Sequence, residues 1–137
     1  MNPTLTGCCT CGAVHFSSQV DPVVQLICHC TDCQEATGTA FARTAFFRTK
    51  TCQIVGDLVV RRFVAASGHA TTRESCSKCH ALMFDRSEGF PTLVGVMADR
   101  LNAPFMFRPA CHVWTRSQRA DSEITDGLPQ YKENMTA

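Results

Sequence analysis

Cysteine is the residue type on which chemistry in this chain turns. Eight of its ten thiols fall into three clusters, "CCTC" at 8–11, "CHCTDC" at 28–33 and "CSKC" at 76–79, while Cys52 and Cys111 stand alone. Neighbouring cysteines one or two residues apart rarely bridge each other, but they converge readily on one ion. On an extended strand residues i and i+2 share a face about 6.6 Å apart at Cα, and thiolates around zinc sit roughly 3.8 Å from each other. A modest inward lean closes that gap. Cys9 with Cys11 therefore reads as one pincer and Cys28 with Cys30 as a second, with His29 thrown to the opposite face. Cys76 and Cys79, on a tight turn, form a third, and Cys33 extends the second.

Counting donors separates two kinds of site. A structural zinc takes four thiolates or imidazoles, whereas a catalytic zinc keeps three protein ligands and leaves the fourth position to water or substrate. Seven of the eight clustered cysteines, all but Cys8, divide as four plus three. Cys9, Cys11, Cys76 and Cys79 would close one tetrahedron and tie the N-terminal region to the middle of the chain. Metal-coupled folding energy is what a small β domain needs. Cys28, Cys30 and Cys33 would hold a second Zn2+ with a free position, unless His29, Cys52, Cys111 or His112 completes it. The expectation is two zinc sites, one structural and one open.

The rest of the chain must position these clusters. With 137 residues, 45% of them hydrophobic and 18% charged, the composition fits one globular core, and we expect a single domain over 1–137 with a loose polar tail from about 117. The formal charge is only +1, without a basic run, so no nucleic-acid footprint is expected. The first residues, "MNPTLTGCCTCG", lack a secretion signal, and no apolar stretch approaches a membrane span. A cytoplasmic location is therefore expected, where thiols stay reduced and clustered cysteines point to metal rather than to disulfides. Runs at 13–19, 23–28, 40–47, 58–64, 81–86, 92–97 and 111–115 read as strands, separated by Gly, Pro and Asn turn signals. One short helix is expected over Asp32–Ala36, ended by Gly38. The fold class is mainly β, with the cysteines at strand ends and turns.

The same residues carry a family resemblance. Gly7-x-Cys9-x-Cys11-Gly12-x-Val14-x-Phe16, then Cys28-His29-Cys30-x-x-Cys33-Gln34 with Gly38 and Phe41, then Cys76-x-x-Cys79, then His112-x-Trp114 and Asp126-Gly127-Leu128-Pro129 follow in order. This series resembles the glutathione-dependent formaldehyde-activating enzyme family from Gly7 to about Tyr131. The resemblance implies a zinc-stabilised β-tent of several short curled antiparallel sheets. It also implies carbon–sulfur lyase chemistry, the reversible joining of glutathione and formaldehyde, or a related small aldehyde, into S-hydroxymethylglutathione. The partners it implies are thus a small thiol and a small aldehyde. The chain departs from the family pattern after Cys79, where His80 replaces the usual Gly of a φ > 0 turn, and in the tail, which lacks the Trp before Leu128-Pro129.

In that reading Cys28, Cys30 and Cys33 form the catalytic centre, with His29 or a metal-bound water doing acid–base work. Bland readings stand beside it. Cys8 lies out of phase with Cys9 and Cys11 and reads as filler; His15 reads as a solvent-side strand residue; His112 and Trp114 read as core or pocket wall. Arg43, Arg48, Arg61, Arg62 and Arg73 read as solvated strand faces, of which one or two can hold glutathione carboxylates. Two rival classes remain open: a non-catalytic binding module with both zincs structural, and a redox or metal-handling protein.

Overall fold

A computed structural model describes residues 4–135. Ten strands and one α-helix are arranged in two sheets. The smaller sheet has the order β1 (Leu5–Cys8), β2 (His15–Ser18), β5 (Cys52–Val55). The larger has the order β10 (Cys111–Val113), β3 (Val24–Cys28), β4 (Ala42–Arg48), β9 (Leu93–Met97), β8 (Leu82–Ser87), β7 (Ala70–Cys76), β6 (Leu58–Val64). The mainly β expectation holds, but the larger sheet is not wholly antiparallel. β10 pairs with β3 in parallel, Cys111 opposite Leu26, because the chain reaches it from β9 by a long connection past β4 and β3 instead of by a hairpin.

Period-two alternation gives the seven-stranded sheet two different faces. Ala45 and Phe47 of β4, with Val94 and Val96 of β9, look into the main core. There Phe16 of the smaller sheet packs 5.0 Å from Phe47 and 6.2 Å from Phe84, centroid to centroid. Burying each such ring contributes about 1.5–3 kcal/mol. The alternate residues, Leu26 and Cys28 of β3 and Thr44 and Phe46 of β4, line a pocket instead. Gly95 lies opposite Phe46 and Asp85 in the ladder; a Cβ there would stand 2.8 Å from Thr44 Cγ2 and 3.0 Å from Phe46 Cε1. Only glycine lets these strands meet at that spacing.

The expected helix spans Thr31–Thr37 as α1 and ends at Gly38, whose φ of 68° supports the left-handed cap. Three strands, β1, β5 and β7, lie outside the runs singled out in the sequence, and the expected strand at 111–115 stops at Val113 because Trp114 has a φ of 58°. Within the segment expected to be loose, the stretch 129–133 is laced to β10 and Trp114. His112 N–H donates to Pro129, Tyr131 N–H to His112 and Trp114 N–H to Glu133, all onto main-chain carbonyls. No helix among the described residues is long and apolar enough to cross a membrane.

Candidate functional site

Two groups of sulfurs stand on opposite faces of the larger sheet. In the first, Sγ atoms of Cys9, Cys11, Cys76 and Cys79 all lie within 4.8 Å of one another, with Cys9–Cys11 at 3.6 Å and Cys11–Cys76 at 3.7 Å. These separations are close to the edge of a zinc–thiolate tetrahedron, roughly 3.8 Å. Cys9 and Cys11 sit on the turn after β1, not on a strand, and the turn is fixed by Gly12 N–H donating to Cys9 and Val14 N–H donating to Cys9 Sγ. The opposite pair is held by a knuckle in which Lys78 and Cys79 N–H donate to Cys76 Sγ and His80 N–H donates to the Cys76 carbonyl. His80 occupies the left-handed region with φ 63°. Donors aimed at sulfur favour thiolate over thiol. N–H bonds from Ala81 and Cys11 lower Cys79 to about 6.

The second group comprises Cys28, Cys30 and Cys33, again within 4.8 Å. Cys28 ends β3, Cys30 caps the start of α1 by accepting the Cys33 N–H at 3.3 Å, and Cys33 lies in the first turn. Bonds from the Cys28 and Cys33 thiols, the Cys33 N–H and the charge of Arg73 lower Cys30 to about 3. The Cys30 bond and its neighbouring charge raise Cys28, so the free triplet holds a second negative charge reluctantly. Among the described residues no fourth His, Cys, Asp or Glu joins this group. Cys52, which opens β5 in the smaller sheet, donates to the carbonyl of Arg48 at the end of β4, and Cys111 lies against Met135 Sδ at 3.8 Å.

His29 and His112 are accounted for elsewhere. His29 is fully buried, its Nε2 paired with His112 Nδ1 at 2.8 Å, and His112 Nε2 pairs with Asp126 at 2.8 Å. Burial lowers the His29 pKa and keeps the ring neutral. The structure does not bring His29 to the pocket above the sulfurs. Its ring packs against Phe41 and His112, tying the Cys28–Cys30 segment to β10 and the tail. Of the expected bland placements, Cys8 is turned to Asn102, His15 is exposed, and Trp114 is pocket wall with Nε1 on Asn134.

One charged residue at the triplet was not legible as such. Arg73, expected on a solvated face, is 6% exposed, and its Nη2 donates to Cys33 Sγ at 3.4 Å. Its Nε stands 3.5 Å from Asp85 Oδ1 without a hydrogen bond. Burial works against the guanidinium, but Asp85 and Cys33 more than restore its charge and raise its pKa. Burial pushes Asp85 up to about 6. Arg73 therefore acts as the built-in counter-ion of the sulfur triplet.

The donor chemistry of both groups fits zinc: thiolates only, four closing one site and three leaving the other incomplete. A family model for the glutathione-dependent formaldehyde-activating enzyme matches residues 4–117. The chain belongs to that family. Family membership supports a role connected with glutathione and formaldehyde, and thus an enzyme. A crystal structure of a Rhodobacter sphaeroides protein, solved as a Northeast Structural Genomics target, shares the fold, with 16% identity, a TM-score of 0.56 and coverage of 92% of this chain and 98% of that one. No curated protein sequence matches the chain.

Proposed function

We propose that this family member is a zinc-dependent carbon–sulfur lyase that joins glutathione, or a similar thiol, to formaldehyde or a related small aldehyde, giving S-hydroxymethylglutathione or its analogue. The observation that carries the reading is the three-sulfur group with no fourth protein ligand among the described residues, facing a pocket instead of the core. Zinc held by Cys28, Cys30 and Cys33 would supply a position at which an incoming thiol is bound as thiolate. The chain's own residues do the rest. Arg73 offsets the negative charge of the triplet through Cys33, so an anionic sulfur is not repelled by three uncompensated thiolates. The apolar pocket wall would limit water around the reacting carbon. Cys9, Cys11, Cys76 and Cys79 would hold a structural zinc and take no part in the reaction.

Exchange between formaldehyde, glutathione and their adduct, followed by NMR with the zinc-loaded protein, tests this. Acceleration over zinc and buffer alone, lost in Cys33→Ser, is expected. An exchange rate equal to the protein-free rate would leave the binding-module class standing.

A further inference from the structure

The pocket facing the triplet has a volume of about 230 Å³. Its walls are largely hydrocarbon, with Leu26, Phe46, Phe90, Leu93, Val113 and Trp114 around the polar floor. Phe46 and Phe90 meet edge-on at 6.4 Å, so the wall is partly aromatic. Apart from the three sulfurs, charge in the lining is confined to Asp32, Arg73 and Asp85. Arg73 is already turned to Cys33 and Asp85, and the Asp32 carboxylate accepts the Ala66 N–H. The Arg73 guanidinium is the lining's one cation, and it is buried.

Glutathione carries two carboxylates, and the one cation in this lining, Arg73, is buried against Cys33 and Asp85; seating those carboxylates among the hydrocarbon walls is strongly unfavourable. Formaldehyde, with two heavy atoms, would leave the hydrocarbon walls uncovered. A dry apolar cavity of about 150 Å³ accommodates benzene. The present pocket therefore has room for a ring and a few further atoms. Each buried methylene is worth about fourfold in affinity.

We propose that the aldehyde used at this site has an apolar body of aryl or branched-alkyl type, seated in the pocket with its carbonyl toward the sulfurs, while the charged thiol enters from the open side. This rests on the carbon–sulfur bond-forming reading. In the step the sulfur pair bonds to the carbonyl carbon, the C=O π pair moves to oxygen, and the proton released by the thiol ends on that oxygen. No oxidant or reductant is required.

Trp114 is the chain's single tryptophan and lines the pocket, so its fluorescence reports occupancy without turnover. The zinc-loaded protein is titrated with benzamide, an unreactive aryl carbonyl, and with formamide and S-methylglutathione. Benzamide is expected to saturate at a concentration at least tenfold below formamide, to be weakened severalfold by Phe90→Ala, and not to be displaced by S-methylglutathione. Equal midpoints for the two amides, or displacement by S-methylglutathione, would overturn the proposal. A second arm follows adduct formation from glutathione with benzaldehyde and with formaldehyde. Acceleration confined to formaldehyde overturns the aryl assignment but spares the bond-forming reading. Acceleration with neither, while benzamide still binds, removes the bond-forming reading and the assignment resting on it.

Discussion

Cys76 shows how a single residue can be committed to one role by its surroundings. It is fully buried, its sulfur accepts N–H bonds from Lys78 and Cys79, and its own N–H and carbonyl pair with Ala81 and His80. Serine in its place would lose the thiolate while leaving those donors aimed at a weaker acceptor. Structural zinc in small domains supplies about 10–16 kcal/mol of apparent binding energy, comparable to the roughly 5–15 kcal/mol of a whole domain. Cys76→Ser should therefore abolish cooperative unfolding and lower zinc content, read by circular dichroism melts and metal analysis; a melt like the parent with full zinc would remove the assignment. Cys33→Ser makes the contrasting case. Its partners Cys28 and Cys30 are close in sequence, so its site closes no long loop. That variant should retain the far-ultraviolet spectrum but lose the second metal and thiol-dependent activity. Arg73→Met should leave the triplet intact yet weaken its metal loading, since the sulfurs then repel one another without a counter-ion. Zinc titration of Arg73→Lys beside Arg73→Met separates charge from packing, and equal affinities in all three proteins would show that the guanidinium is only a filler.

The knuckle after β7 carries a prediction of its own. His80 has a φ of 63°, in the left-handed region where a Cβ costs about 1–2 kcal/mol. Glycine there removes that cost while giving back some chain entropy. His80→Gly should therefore raise the melting temperature by about 2–6 °C at unchanged zinc content, and His80→Val should lower it; a fall on introducing glycine would show that the imidazole makes a contribution of its own. This element was readable in advance because Cys-x-x-Cys spacing is local and its turn follows from a few bonds. β7 was not: "ATTRESC" has almost no apolar alternation, and it pairs as a strand because β6 and β8 flank it on both sides. The burial of Arg73 and Asp85 was hidden for the same reason, since it depends on β4, β9, β8 and β7 lying side by side. Nothing in the order of residues along the chain announces that juxtaposition. The tail is a different case. Its polar composition suggested looseness, but Asp126, Pro129, Tyr131 and Glu133 are fastened by bonds to His112, Trp114 and Arg116.

Across the whole molecule the two sulfur groups are joined by one strand. Arg73 of β7 looks to the pocket face and touches Cys33, while Cys76, three residues on, enters the main core and the four-sulfur group. The four-sulfur group also spans the two sheets, linking the β1–β2 turn to the end of β7, whereas the triplet lies within one corner formed by β3 and α1. Loss of the first should thus separate the sheets, and loss of the second should open only that corner. Graded chelation of the fully loaded protein tests the asymmetry. One equivalent of zinc should leave first, with activity, while the circular dichroism spectrum stays that of the folded chain; the second should leave only as the fold is lost. The order has a physical basis in the donor count: three thiolates and an exchangeable fourth position release metal more readily than four thiolates enclosed by packing. Glutathione should slow the first release by occupying the free position, and more so as pH rises toward the thiol range, because coordination expels a proton. Simultaneous loss of both ions, or a first release that unfolds the chain, would mean that the triplet is as structural as its counterpart across the sheet.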